Sequence, residues 1–155
     1  MSSAEVGDQL TLVAGTHRLQ ARVSLRSHIP VDRLEIVRNG VVVSSVSLEP
    51  GRMQARTVVP LDADASGWYV VRAYAEAPRS PVLDVYPFAT TSPIYVTIAG
   101  QAVRSAVDAR YFLSWIDRVR KQVEAHDGWN TDAERSNVLA MIAKARAEFE
   151  GRVNP

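Results

Sequence analysis

The sequence predicts a mainly β fold, an immunoglobulin-like antiparallel β-sandwich of about seven strands, followed by a C-terminal two-helix hairpin. Between about residues 8 and 99, short alternating runs of apolar and polar residues are separated by turn residues at intervals of roughly eight to fifteen, as in sandwiches. After Gly100 the apolar residues recur every three or four positions, which is typical of amphipathic helices. We therefore assign 1–100 to the sandwich and 101–155 to a helical hairpin that packs on the sandwich or on a partner.

Alternation predicts three of the strands directly. In the first of them, Leu19, Ala21 and Val23 lie on one face and arginine, glutamine and serine lie on the other, as in a half-buried antiparallel strand. The three segments are 18–26, 54–61 and 67–76. A hairpin is predicted between them, because two β-rich runs flank Asn39-Gly40, a pair that tolerates positive φ at both central positions of a type I′ turn.

The last strand is predicted after a segment that is rich in proline and hydroxyl groups. Pro87 and Pro93 cannot donate to a ladder, so 86–92 is predicted to cross irregularly and 94–98 to form the final strand. The hydroxyls of Thr90 and Thr91 are expected to bind local backbone groups, with ligand contact as the alternative.

Two helices are predicted from their start signals and apolar spacing. Ser105 followed by Asp108 begins the first, a helix of about 20 residues that is expected to end at His126–Gly128, with the glycine in the left-handed conformation. Thr131 with Glu134 begins the second, and Gly151 is placed just past its end. The apolar stripe of this hairpin is interpreted as a core stripe, with an exposed partner surface as the alternative. Its members on the first helix are Tyr111, Phe112, Trp115, Ile116, Val119 and Val123.

Composition excludes several classes of function. The 155 residues include no cysteine, so disulfides, thiolate metal sites and a cysteine nucleophile are excluded. The net charge is +1, and basic and acidic residues are nearly equal in number in both parts of the chain, so we expect no nucleic-acid partner. No apolar run is long enough to span a membrane and the N-terminus lacks the features of a signal peptide, so we expect a soluble chain whose compartment is undetermined.

Catalytic and metal-binding motifs are missing from the sequence. No P-loop, nucleophile elbow or zinc-ligand spacing occurs. His28 and Asp32 could meet in a metal site at a loop end, although surface histidines are the ordinary interpretation. Sandwiches that bind sugars stack them on aromatic rings, so Trp68, Tyr69 and Tyr74 leave a carbohydrate-binding module as an alternative function.

An ordered set of short segments resembles one known family. The segments are GDQLTL, SHIPVDRLEIVRNG, SGWYVVRAYAE, FATTSPIYV and VRSAVDARYFLSWIDRV, and they run from about Gly7 to Val119. Together they resemble the region after the catalytic domain in CehA/McbA-type metallohydrolases, a branch of the PHP (polymerase and histidinol phosphatase) superfamily. In such relatives a histidine often precedes the TSP motif, and here that position is Thr90.

The resemblance implies a noncatalytic accessory domain. The family's metal-dependent hydrolysis belongs to a PHP barrel whose ligands activate a water, and no position of this chain matches those ligands. We therefore expect no enzyme activity and no cofactor in this chain, and a divalent metal only in the missing catalytic domain. Whether the chain is an excised fragment or a truncated relative stays open.

The expected partner is the catalytic PHP domain, against which the chain packs and whose entrance it helps to shape. A self-associating interaction domain, and hence a homo-oligomer, is a further alternative beside the sugar-binding module. The candidate contacts with a partner domain or ligand are His28, Asp32, Tyr86, Phe88, Thr90 and Thr91. No catalytic or metal-binding residue is assigned.

Overall fold

A computed structural model describes residues 3–82 and 86–153 of the chain, which divides into two compact units, Met1–Val103 and Arg104–Pro155. The described residues of the first unit form eight strands, and those of the second form two helices. The predicted mainly β fold with two C-terminal helices is thereby confirmed, with one strand more than expected. The strands are β1 (Gln9–Leu12), β2 (His17–Arg26), β3 (Arg33–Arg38), β4 (Val41–Ser45), β5 (Gln54–Ala63), β6 (Gly67–Tyr74), β7 (Phe88–Thr90) and β8 (Ile94–Ile98).

The strands form two sheets. The larger sheet has the order β1-β8-β6-β3-β4, with β7 also paired to β6, and the smaller sheet consists of β2 and β5. Within these sheets the pairs are antiparallel except for β1 and β8, which run in parallel from Gln9 opposite Tyr95 to Leu12 opposite Ile98.

The predicted hairpin between β3 and β4 is confirmed. Asn39 has φ of 50° and Gly40 has φ of 85°, which is the left-handed backbone that a type I′ turn requires. The Asn39 side chain also contacts β6, since its Oδ1 accepts a hydrogen bond of 2.9 Å from the backbone N–H of Trp68. The turn therefore also anchors the start of β6.

One apolar cluster includes side chains from both sheets. Val23 and Ala55 come from the smaller sheet, and Ile36, Tyr69 and Val96 come from the larger one. The alternation predicted for β2 and β6 is confirmed, since the apolar face of each strand contributes to this cluster and Arg18, Gln20 and Arg22 are exposed. Burying an aliphatic side chain of this size stabilises a fold by about 1.5–3 kcal/mol, so the cluster supplies much of the stability of this unit.

Residues 86–92 were expected to cross irregularly, and this prediction is wrong for Phe88–Thr90, which form β7. β7 and β8 lie along the same edge of β6, but the register shifts by one residue between them, from Arg72 opposite Thr90 to Tyr69 opposite Ile94. The shift is a β-bulge, which accommodates Pro93 because that residue has no N–H to donate. The final strand was predicted correctly as 94–98.

The second unit contains α1 (Ala106–Ala125) and α2 (Asp132–Val153). The start of each helix is confirmed, because Ser105 Oγ accepts from the Asp108 N–H at 3.1 Å and Thr131 Oγ1 accepts from the Glu134 N–H at 3.1 Å. The reciprocal bond of a capping box is displaced by one residue, since the Glu134 carboxylate accepts from the backbone N–H of Asn130.

The predicted end of α1 at His126 is confirmed, but the left-handed glycine expected there and the predicted end of α2 are wrong. α1 ends where His126 turns to an extended backbone with ψ of 131°, and Gly128 is not among the glycines with positive φ. Instead, the His126 carbonyl accepts a 2.9 Å hydrogen bond from Trp129 Nε1, and the two rings meet edge to face. Gly151 does not follow α2 but lies inside it, because the helix continues to Val153.

Candidate functional site

The chain brings four of the six candidate contact residues to β7 and to the start of β3, or directly beside them, and these two strands flank β6 in the larger sheet. The Asp32 N–H donates to the carbonyl of Tyr74 at 2.8 Å, and the Ala75 N–H donates to the carbonyl of Pro87 at 2.9 Å. Tyr74, at the end of β6, therefore lies between the loop that contains Asp32 and the start of β7. Its partner in register on β7 is Phe88. We call this region the Asp32 end of the sheet. Asp32 and Phe88 lie at this end, Thr90 lies two residues further along β7, and Thr91 follows it.

Asp32 holds two loops together. Its Oδ2 accepts from the Glu76 N–H at 2.8 Å, and its Oδ1 accepts from the Arg79 guanidinium at 2.7 Å. The backbone N–H of Glu76 and then the Arg79 guanidinium hold the pKa of this carboxyl below its usual value of 3.8. Both carboxylate oxygens of Asp32 therefore accept hydrogen bonds from the loop that follows β6, and the side chain anchors that loop to the loop before β3.

Arg52 also belongs to this region, although the sequence analysis did not single it out. Its guanidinium donates to the backbone carbonyl of Val31 at 2.8 Å and to that of Asp32, and it lies 3.9 Å from Asp32 Oδ1. The backbone of Arg52 has φ of 58°, which is uncommon for a residue with a side chain. The Pro50-Gly51 turn signal pointed to this bend, but no local pattern indicates that the next side chain reaches the β2–β3 loop.

A polar groove of about 640 Å³ lies beside the Asp32 end. Its carboxylates and arginines compensate one another, because Arg33 lies 3.4 Å from Glu76 and Arg72 lies 2.8 Å from Glu35. Glu35 is buried, and Arg72 is its ionic partner. Such a groove presents little net charge to a ligand. It is lined by Asp32, Arg33, Leu34, Glu35, Ser45, Val46, Ser47, Leu48, Arg52 and Glu76.

The two threonines have different roles. Thr91 replaces a missing ladder partner at the bulge: its N–H donates to the Val71 carbonyl at 2.9 Å, and its Oγ1 accepts from the Val71 N–H at 3.1 Å. The Thr90 hydroxyl is exposed and donates only a long bond of 3.3 Å to the Thr91 carbonyl. Thr91 therefore satisfies a backbone group, as predicted, although that group belongs to the neighbouring strand.

The aromatic candidates remain accessible, and so does His28. Tyr86 is 56% exposed and Phe88 is 53% exposed, and both lie near the Asp32 end. Residues 83–85 directly before Tyr86 lie outside the described residues. His28 is also exposed, in the loop between β2 and β3. Among the described residues no group of three or more histidine, aspartate or glutamate side chains could hold a metal ion.

The three rings of the sugar-binding alternative do not form one platform. Tyr69 is buried in the apolar cluster. Trp68 and Tyr74 share the opposite face of β6, but six residues of a strand separate them by about 20 Å. The Arg72 guanidinium also lies over the Tyr74 ring, 5.6 Å from its centre.

The second unit has an apolar surface of its own. Val107, Tyr111, Trp115 and Val119 are spaced four residues apart on α1, and we call them the apolar row. They are 72%, 57%, 53% and 44% exposed, so the stripe that was expected to be core is only partly covered. A groove of about 360 Å³ runs beside the row and is lined only by apolar side chains. They are Phe112, Trp115, Ile116 and Val119 from α1, and Met141, Ile142, Ala145 and Phe149 from α2.

Comparison with known proteins adds no relative. No family model, curated protein or solved structure matches the chain. Neither helix among the described residues has the length and apolar character needed to cross a membrane.

Proposed function

We propose that this chain is a noncatalytic accessory region of a PHP-type metal-dependent hydrolase of the CehA/McbA kind. Its β unit is an immunoglobulin-like sandwich in this proposal. The strand order supports that assignment, because such sandwiches place strands B and E together in one sheet and strands C, F and G in the other. Here β2 and β5 correspond to B and E, and β3, β6 and β8 correspond to C, F and G.

One observation at the Asp32 end carries the proposed function. The polar candidates Asp32 and Thr91 are already bound by the backbone and side chains of this unit, whereas Tyr86 and Phe88 are more than half exposed. Exposed aromatic side chains are typical of contact surfaces between proteins, and bound polar groups are poor candidates for chemistry. The Asp32 end therefore serves as a docking surface, held in shape by its ionic anchors.

The partner at this surface is the catalytic PHP domain. That domain holds the divalent metal and performs the hydrolysis, while the accessory region packs beside it and shapes the substrate entrance. The chain itself contributes contact area and rigidity, not a ligand to the metal.

The proposal is tested by binding. A PHP barrel of the CehA/McbA type, produced as a separate chain, is titrated with this protein in a calorimeter. Phe88→Ser and Tyr86→Ser are each expected to weaken binding by about tenfold or more, because aromatic contacts dominate such interfaces. Tyr95→Ser is the matched control, since Tyr95 is similarly exposed on β8 but lies beside the other end of β6, opposite Trp68.

Two results would contradict the proposal. If the barrel does not bind, or binds Phe88→Ser as well as the wild type, the Asp32 end is not the docking surface. If the chain alone hydrolyses esters or phosphoesters and a chelator abolishes that activity, it is not a noncatalytic region.

A further inference from the structure

The apolar row on α1 is too regular and too exposed to be accounted for by the hairpin alone. Four side chains recur at intervals of four residues, and Met141 on α2, which lines the adjoining groove, is 70% exposed. In a helical hairpin that is covered only by itself, the side chains of one stripe per helix face the other helix. Here the contacts between α1 and α2 include the 5.1 Å ring contact of Phe112 with Phe149 and the 2.9 Å ion pair of Arg146 with Asp117, and these side chains lie outside the apolar row.

The exposed area is large enough to be an interface. Aromatic side chains contribute about 150–250 Å² each, so the exposed parts of Tyr111, Phe112 and Trp115 amount to roughly 300 Å². Val107, Val119 and Met141 add about as much again, which gives an apolar patch of roughly 600 Å², at the upper end of the range for monomeric proteins. A patch of this size on both partners would bury about 1,200 Å², which reaches the lower limit for stable complexes.

This face has both a ridge and a groove. Tyr111 and Trp115 form a ridge along α1, and the groove between α1 and α2 lies directly beside it, with Ile116, Ile142 and Phe149 partly buried along it. Helices pack by inserting ridges into grooves. A two-fold axis would place the ridge of each copy in the groove of the other, so one surface supplies both halves of the contact.

The charge of the unit also favours a second copy. Residues 104–155 contain nine basic and eight acidic side chains, so two copies approach with almost no net repulsion. Near the face, Arg152 of α2 pairs with Glu148 at 3.1 Å, and Arg146 pairs with Asp117 and Glu150. A strongly charged partner would find no complementary charge on this face, whereas an identical apolar face needs none.

We propose that the apolar row and its groove are a homodimer interface, in which two helical hairpins pack face to face as a four-helix bundle. This inference goes beyond the accessory function, which uses a different surface. The dimer would carry two copies of the β unit and two Asp32 ends.

Sedimentation velocity of the full chain tests the proposal. Between about 1 and 100 µM, where interfaces of this size associate, the mass should rise from 17.0 kDa to twice that value. Trp115→Arg should weaken association by tenfold or more, because it places a charge in the centre of the buried patch. Val13→Glu is the matched control, since Val13 is as exposed as Val107 but lies in the β unit.

A second variant guards against misfolding. If Trp115→Arg loses its helical circular dichroism, the dimer is tested with Val107→Glu instead. A glutamate in the first turn is favourable for the helix, and the substitution removes the apolar side chain at one end of the row. A wild type that stays monomeric, or a dimer that tolerates both Val107→Glu and a folded Trp115→Arg, overturns the proposal. A monomer that binds the PHP barrel would overturn the dimer and leave the accessory function standing.

Discussion

The hydroxyl of Thr91 should contribute measurably to the stability of the β unit. Thr91→Val keeps the shape of the side chain but removes the acceptor that lies 3.1 Å from the Val71 N–H. A donor left unpaired costs about 1–3 kcal/mol when fully buried, and both residues here are only partly buried. We therefore expect a loss of about 1–2 kcal/mol. Because each kcal/mol shifts the melting temperature of a unit of this size by about 4–8 °C, that temperature should fall by roughly 4–16 °C.

Two other variants separate the hydroxyl from nearby effects. Thr91→Ser retains the acceptor and should melt close to the wild type. Thr90→Val removes an exposed hydroxyl with only a 3.3 Å bond and should cost less than about 0.5 kcal/mol.

The assay follows amide signals of the β unit by nuclear magnetic resonance during heating, and then hydrogen exchange at Val71. Exchange at that amide should be about tenfold faster in Thr91→Val, since about 1.4 kcal/mol corresponds to a factor of ten. If Thr91→Val melts within a degree of the wild type, or if Thr90→Val is equally damaging, the bulge does not depend on this hydroxyl.

Two further predictions concern ionisable groups. Because the Glu76 N–H and Arg79 lower the pKa of Asp32 in the folded state, its stabilising effect is present above 3.8 and is lost as the pH falls below that value. Asp32→Asn should therefore melt below the wild type at pH 7, with a difference that shrinks in acid; a difference independent of pH would contradict this role. Burial raises the pKa of Tyr69 above 10.0, so stability should fall as the pH rises beyond 10, and Tyr69→Phe should reduce that fall. Its buried hydroxyl has no partner among the described residues, so Tyr69→Phe should melt at or above the wild-type temperature at pH 7, and a clear loss in calorimetry would refute this.

Local chemistry was the part of the fold that the sequence could predict. Asn39-Gly40 specified its turn because few residue pairs accept positive φ twice in succession, and Ser105 and Thr131 specified helix starts because their hydroxyls cap nearby N–H groups. Strand β7 was missed because it is only three residues long and is followed by a bulge at Pro93. Its hydrogen bonds depend on β6, which no local pattern reveals.

The ends of the helices were less predictable than their starts. A glycine near the end of an apolar stripe can terminate a helix or remain within it, at a cost of about 1 kcal/mol. Gly151 remains in α2, where Arg152 pairs with Glu148 across the same turn. For α1, the bond from Trp129 to the His126 carbonyl takes the place of a left-handed glycine, and that contact requires the folded turn.

The candidate site was predicted only in its location along the chain. Asp32, Phe88 and Thr91 were singled out, but their functions depend on partners far away in sequence. Asp32 binds Arg79, which is 47 residues later, and Glu35 binds Arg72, which is 37 residues later. Glu35 and Arg72 were not singled out, because only the pairing of β3 with β6 brings them opposite each other.

The parallel pairing of β1 with β8 determines how the β unit would respond to mechanical tension. The polypeptide enters at β1 beside Pro93 and leaves after β8, where the Ala99 N–H donates to the Leu12 carbonyl at 2.9 Å. Pulling on the two flanking segments would draw these strands past each other lengthwise. The hydrogen bonds along Gln9–Leu12 would then be loaded simultaneously instead of one after another. The β unit should therefore resist shear between its two flanking segments.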